Sequence, residues 1–204
     1  GIDRNRIGSK VAFEAASSLL RSGEYVAAGS GQAMNDKHNA ILAEIPRLRR
    51  YARALLRDRD AADDLVQDCL ERALSRLDNW RIGDSPRRWL FTIMHHLFVD
   101  QTRRAKRRGE AFQLSHEEAG GVASEPAQLD ALAAREVADA LQSMGPDRRS
   151  ALVLVAVEGL SYAEAAEVLG IPAGTLMSRV SRGREELRAL LDDTTRRKSI
   201  RIVD

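Results

Sequence analysis

Between Ala173 and Arg184 the chain carries three arginines, three short hydroxyls and no acidic residue. A helix over this stretch buries Leu176, Val180, Gly183, Leu187 and Leu190 at alternating steps of four and three. Thr175, Met177, Ser178, Arg179, Ser181, Arg182 and Arg184 then stay outside. Short hydroxyls and guanidinium groups near a helix N-terminus suit base edges and phosphates in a major groove. The first amides, at Ala173, Gly174 and Thr175, lack intrahelical acceptors and can hold a phosphate. A second cationic run places Arg103, Arg104, Lys106, Arg107 and Arg108 within six residues. A polyanion would satisfy it, and so would plain solvation at a helix C-terminus, where cations oppose the macrodipole. A third set, Asp64, Gln67, Asp68 and Glu71, shares the polar face of a helix that is apolar on its other side.

Helices must hold all three sets, because the pattern is helical almost everywhere and never alternates for long. Ile41, Ile45, Leu48, Ala52 and Leu55 make the first clear stripe, with Pro46 expected to start or kink the helix. Asp58 or Asp60 can cap the next helix, which buries Ala62, Leu65, Val66, Cys69, Leu70, Ala73 and Leu77. Asn79 to Asp84 reads as a turn. Ser85-Pro86 then starts a helix whose apolar face is Trp89, Leu90, Ile93, Met94, Leu97 and Phe98, running into the cationic run of Arg103 to Arg108. Gly109 to Gln128 has no periodicity and reads as a linker. Beyond it come a stripe of Leu129, Leu132, Val137, Ala140, Leu141 and Met144, a Gly145-Pro146 break, and a helix burying Ala151, Leu152, Val155 and Ala156.

Ser161 and Glu164 have capping-box spacing, Gly170 suits a left-handed C-cap, and Ile171-Pro172 redirects the chain. A short helix, a glycine turn and a longer basic helix have the form of a helix-turn-helix; an αα-hairpin with an ordinary basic face is the plainer alternative. The expected fold is all-α: two small helical domains, 34–108 and 129–195, joined by a flexible linker over 109–128. Residues 1–33 are an expected appendage, with Met34 a candidate start and Gly1 the mark of a processed or engineered end, and 196–204 an expected tail.

Composition narrows the function. The 204 residues are 44% hydrophobic and 30% charged with net charge +2, which excludes a polybasic tail and an acidic disordered chain. Cys69 is the only cysteine, which excludes a disulfide scaffold and a cysteine-built zinc site. His95 and His96 are adjacent and point about 100° apart on a helix, unsuited to chelation. No cofactor, metal or catalytic constellation is expected, so the chain is not read as an enzyme. With no apolar run of membrane length, it is expected to be soluble and cytoplasmic. Charge is uneven: residues 34–110 hold 17 basic against 12 acidic groups, and residues 111–160 hold 3 against 8. The acidic segment is expected to cover the basic faces in the free chain.

Two stretches together resemble a known family: Arg57 to Arg104, "RDRDAADDLVQDCLERALSRLDNWRIGDSPRRWLFTIMHHLFVDQTRR", and Gly159 to Leu191, "GLSYAEAAEVLGIPAGTLMSRVSRGREELRALL". They are similar to regions 2 and 4 of bacterial RNA polymerase sigma factors of the extracytoplasmic-function (ECF) group. The resemblance implies partners: core RNA polymerase, through the clamp helices of its largest subunit and its flap; promoter DNA; and an anti-sigma factor. It places Asp64, Gln67, Asp68 and Glu71 against the clamp. It gives the −10 element to the turn residues Arg81, Asp84 and Ser85, to His96 as a base-capturing residue, and to Arg103, Arg104, Lys106 and Arg107 as phosphate grips. His96 stands where the family often has Asn. It gives the −35 duplex to Met177, Ser178, Ser181 and Arg182 as base readers, and to Ala173, Gly174, Thr175, Arg179 and Arg184 as backbone contacts. Met177 stands where the family often has a basic residue. Two other functions stay open on the residues: a homodimeric helix-turn-helix regulator, and a sigma mimic that sequesters an anti-sigma protein.

Overall fold

The computed structural model describes the backbone of residues 30–81, 83–108 and 125–201, with side chains inside 34–81, 83–108 and 133–193. Among these residues there are seven α-helices and no strand. They are α1 (Ser30–Leu55), α2 (Arg59–Leu74), α3 (Pro86–Arg107), α4 (Glu125–Ser143), α5 (Pro146–Ala156), α6 (Tyr162–Leu169) and α7 (Ala173–Arg201). Residues 1–29 of the expected appendage, 109–124 of the expected linker and 202–204 of the expected tail lie outside the described residues. Where backbone is described, helix replaces part of each: α1 begins at Ser30, α4 at Glu125, and α7 runs to Arg201. Pro126 does not stop α4, because a first helical turn has no use for its N–H. Pro46 lies inside α1 rather than at its start.

The helix starts follow local chemistry. Asp58 caps α2, its carboxylate accepting from the Asp60 amide at 2.9 Å. Ser85 caps α3 with Pro86 behind it, its hydroxyl accepting from the Arg88 amide at 3.3 Å. Helices α1, α2 and α3 bury Ile41, Leu48, Leu65, Val66, Leu90 and Met94 between them. Tyr51 and Phe91, outside the expected stripes, are also fully buried and meet edge to face at 5.1 Å. Trp89 is half-buried and stacks on Trp80 at 5.9 Å. Cys69 is buried, its thiol pushed up to about 12 by burial, and its Sγ donates toward the Leu90 carbonyl. It is packing rather than a nucleophile.

In the second half, α5 departs from its expected single stripe. Ser150, Ala151, Leu152, Val153 and Leu154 are all buried, whereas Ala156 is exposed, as is Val137 on α4. A helix buried all round must have neighbours on both sides. Helix α7 covers one side and α1, from the first half, the other. Helix α6 likewise packs on α3. The two helical bundles are therefore docked, and their buried residues form one continuous core.

Candidate nucleic-acid and polymerase interface

The helix-turn-helix forms as its residue types demand. Glu164 accepts from both the Ser161 amide, at 2.9 Å, and the Ser161 hydroxyl, while the Glu164 amide donates back to Ser161 Oγ at 3.2 Å. These hydrogen bonds hold the Glu164 carboxyl below its ordinary range. Gly170 ends α6 at φ 63°, ψ 36°, the left-handed region open to glycine. Helix α7 buries Leu176 and Val180, and Gly183 lets it approach the Arg148 backbone, whose carbonyl lies 3.5 Å from where a Cβ would stand.

On the outer side of α7, Ala173, Gly174, Thr175, Met177, Ser178, Ser181, Arg182 and Arg184 are exposed. Their engagement differs. Ser178 Oγ donates to the Thr175 carbonyl at 2.9 Å, and Ser181 Oγ donates to Glu185 Oε1 at 3.3 Å. Arg179 is drawn aside: its Nη2 pairs with Asp147 Oδ2 of α5 at 2.9 Å. Arg182 and Arg184 form no ion pair among the described residues.

The cationic run that ends α3 is divided by helical geometry. His96, Arg103 and Arg107 lie at i, i+7 and i+11 on α3, hence on one outward stripe, and all three are exposed. Arg104 instead lines a groove of about 520 Å³ between α2 and α3 with Asp68, Glu71, Asp100 and Gln101. Lys106 points a quarter turn away from Arg107. Arg81 and Asp84 are exposed on the turn before α3, and the Ser85 hydroxyl is spent on its cap.

The acidic set is grouped along α2. Asp64 and Asp68 are raised above the ordinary carboxyl range, first by partial burial and then by neighbouring acids. Asp58, Asp60 and Asp63 act on Asp64, and Glu71 and Asp64 act on Asp68. Gln101 Nε2 donates to Asp68 Oδ2 at 3.3 Å, and Gln67 Nε2 donates to Glu71 Oε1 at 3.0 Å. Like charges held this close favour a cationic partner.

Sequence reasoning missed the seam between the halves. The last turn of α1 leaves carbonyls without helical partners, and the second half supplies the donors. Gln142 Nε2 reaches the carbonyls of Arg53 and Ala54 at 3.1 and 3.0 Å. Arg149 Nη1 reaches the Leu55 carbonyl at 2.6 Å and Gln142 Oε1 at 2.8 Å. Its Nη2 donates to the carbonyls of Gln142 and Met144. Burial lowers the Arg149 pKa to about 10, so it stays cationic at the negative end of the α1 dipole. Glu158, whose side chain is 0% exposed, takes a two-pronged pair from Arg50 at 2.8 and 2.9 Å. Arg88 of α3 meets Glu167 of α6 at 3.0 Å. His95 is covered where α3 meets the second half; burial lowers its pKa to about 4, with the charges of His96, Asp147 and Arg179 acting on it as well. The readable signal was Arg149 and Glu158 flanking the apolar run Ala151 to Val157.

Comparison with known proteins places these features. Residues 41–95 match the family "Sigma2 domain of PhyR", and residues 134–187 match "Sigma-70, region 4". The ECF RNA polymerase sigma factor EcfG of Rhodopseudomonas palustris is 42% identical over 151 residues, 74% of this chain and 82% of the relative. The ECF sigma factor SigC of Mycobacterium tuberculosis is 33% identical over 80% of this chain and 85% of the relative. Among solved structures, the sigma factor RpoE bound to the anti-sigma factor NepR, from Bartonella quintana, aligns with TM-score 0.65 at 36% identity, covering 77% of this chain and 97% of that one. The PhyRSL–NepR complex of Sphingomonas sp. Fr1 aligns with TM-score 0.54 at 27% identity, covering 75% of this chain and 87% of that one. No helix among the described residues is long and apolar enough to cross a membrane.

Proposed function

The chain belongs to the ECF RNA polymerase sigma factors, and we propose that it addresses core polymerase to promoters with three separate faces. The acidic edge of α2, Asp64, Gln67, Asp68 and Glu71, docks on the clamp helices of the largest subunit. The outward stripe of α3, His96 with Arg103 and Arg107, together with Arg81 and Asp84, engages the opened −10 strand. Helix α7 enters the major groove at the −35 element. The observation that carries this reading is the acid-free outer side of α7 between Ala173 and Arg184, where Arg182 is exposed and has no ion pair among the described residues. The polymerase supplies the chemistry; this chain supplies the address, in the cytoplasm where polymerase and DNA meet.

Arg182 is assigned as the principal base reader because a guanidinium can take guanine O6 and N7 together. Arg179 serves only after leaving Asp147, and Arg104 is assigned to the clamp groove beside Asp68 rather than to DNA. Run-off transcription with core polymerase on selected promoters tests the whole reading. A specific transcript that disappears when Asp68 and Glu71 are both neutralised supports it; equal transcripts with and without this chain would reject it.

The docked form cannot serve both elements at once. A compact body of this size is about 40 Å across. Elements centred 25 base pairs apart stand about 85 Å apart along B-DNA. The seam of Arg50, Glu158, Gln142 and Arg149 must open for the α3 stripe and α7 to reach their elements together. The docked form is thus the resting one, and an anti-sigma factor, as NepR is for RpoE, is the expected partner that would prolong it. The alternative of a sigma mimic draws support from the PhyR-type match over 41–95. A mimic has no use for an open DNA-reading helix, and this chain keeps one.

A further inference from the structure

Within that −35 reading, the outer side of α7 carries one apolar side chain among hydroxyls and guanidinium groups. Met177 is 55% exposed, the most exposed of the large hydrophobic side chains among the described residues. Single exposed apolar residues are ordinary on protein surfaces; its place is what gives this one meaning. It lies between Thr175 and Ser178 in the acid-free run, so the surface around it is shaped for a polyanion. It also borders a hollow of about 440 Å³ with Tyr162, Ser181, Arg184, Glu185 and Arg188.

The lining excludes a simple phosphate site. Glu185 stands in the same hollow and would repel a phosphate seated there, while Arg184 and Arg188 lie about two and three turns further along the stripe that Met177 begins. Ser181 already gives its hydroxyl to Glu185. What remains at the mouth is a thioether beside an aromatic ring, flanked by cations. In a major groove one base group is apolar, the C5-methyl of thymine.

We propose that Met177 reads a thymine methyl in the −35 duplex, at a base pair other than the one read by Arg182. The two side chains project about 140° apart around α7 and five residues apart along it, so they meet different base pairs. A flexible, polarisable thioether can follow the methyl without a fixed hydrogen-bond geometry. The −35 block of this sigma factor therefore contains an A·T pair that is recognised by its methyl rather than by its hydrogen-bonding edge.

The test uses full-length chain with core polymerase and a pool of promoter duplexes randomised over the −35 block. Each thymine of the selected block, on either strand, is then replaced by deoxyuridine, which lacks only the methyl. The expected result is one position where uracil weakens binding threefold to fivefold, the worth of one buried methyl group. Met177→Ala should bind the thymine and uracil duplexes equally, and Met177→Leu should keep the preference. Uracil matching thymine everywhere, a block without any A·T pair, or a preference that survives Met177→Ala overturns the proposal. Loss of polymerase affinity in Met177→Ala with the thymine preference intact also overturns it, in favour of a protein docking on this hollow. Selection of no preferred block at all defeats instead the −35 reading on which the proposal rests.

Discussion

Arg149 and Arg182 carry the same guanidinium to opposite fates. At the seam, Arg149 is buried and gives four hydrogen bonds to backbone carbonyls and one amide side chain. On α7, Arg182 stands in solvent with no ion pair among the described residues. A buried cation is costly unless its donors are matched, and the four bonds from Nη1 and Nη2, with Nε alone left without a hydrogen-bond partner among the described residues, commit Arg149 to one geometry. An exposed, unpaired cation costs little to leave free and gains when a partner arrives. In the proposed function, the seam arginines therefore hold the resting form, and the groove arginines select the target.

Substitutions can break that contrast. Arg149→Leu should cost the most, about 3–5 kcal/mol, because it strands buried acceptors at Leu55, Gln142 and Met144; denaturant unfolding measures it, and a loss below about 1 kcal/mol would put Arg149 in the same class as Arg182. Arg182→Ala should cost about 1–3 kcal/mol of discrimination at one base pair, with melting temperature unchanged. A promoter-variant binding series at fixed salt checks this, and equal loss on every sequence would make Arg182 a phosphate clamp. Glu158→Gln replaces the two-pronged pair with Arg50 by a neutral contact and should weaken the seam by about 1–2 kcal/mol. Its readout is a larger separation between fluorophores on the two halves, with duplex binding retained or improved.

Acid should act in the same direction, more weakly. His95 is neutral when covered, with its pKa lowered to about 4, and regains an ordinary value near 6.5 once uncovered. The uncovered form then binds the extra proton, so docking is strongest above pH 6.5 and weakens as pH falls from there toward 4. At pH 5.5 the loss is about 1 kcal/mol. The separation of the two halves, followed against pH, should increase over that window, and His95→Gln should flatten the profile.

Much of the architecture was legible in the sequence because it rests on local rules. Ser85-Pro86, the Ser161–Glu164 box and Gly170 fix helix ends within a few residues of chain, and period-3.6 stripes named Leu65, Leu90, Leu176 and Val180 as core. The exposed reading side of α7 follows from the same periodicity. The pairing of Arg179 did not follow, because Asp147 comes from another helix.

By itself, then, the sequence determined the seven helices found among the described residues, the caps of α2, α3 and α6, and the acid-free side of α7, since each depends on residues within a turn or two of one another. Only the tertiary structure decided that α5 is buried all round, that Gln142 and Arg149 finish the open end of α1, and that Glu158 hides its charge against Arg50. Those contacts join residues about 90 to 110 positions apart, and no local pattern encodes which distant partner a buried group will meet.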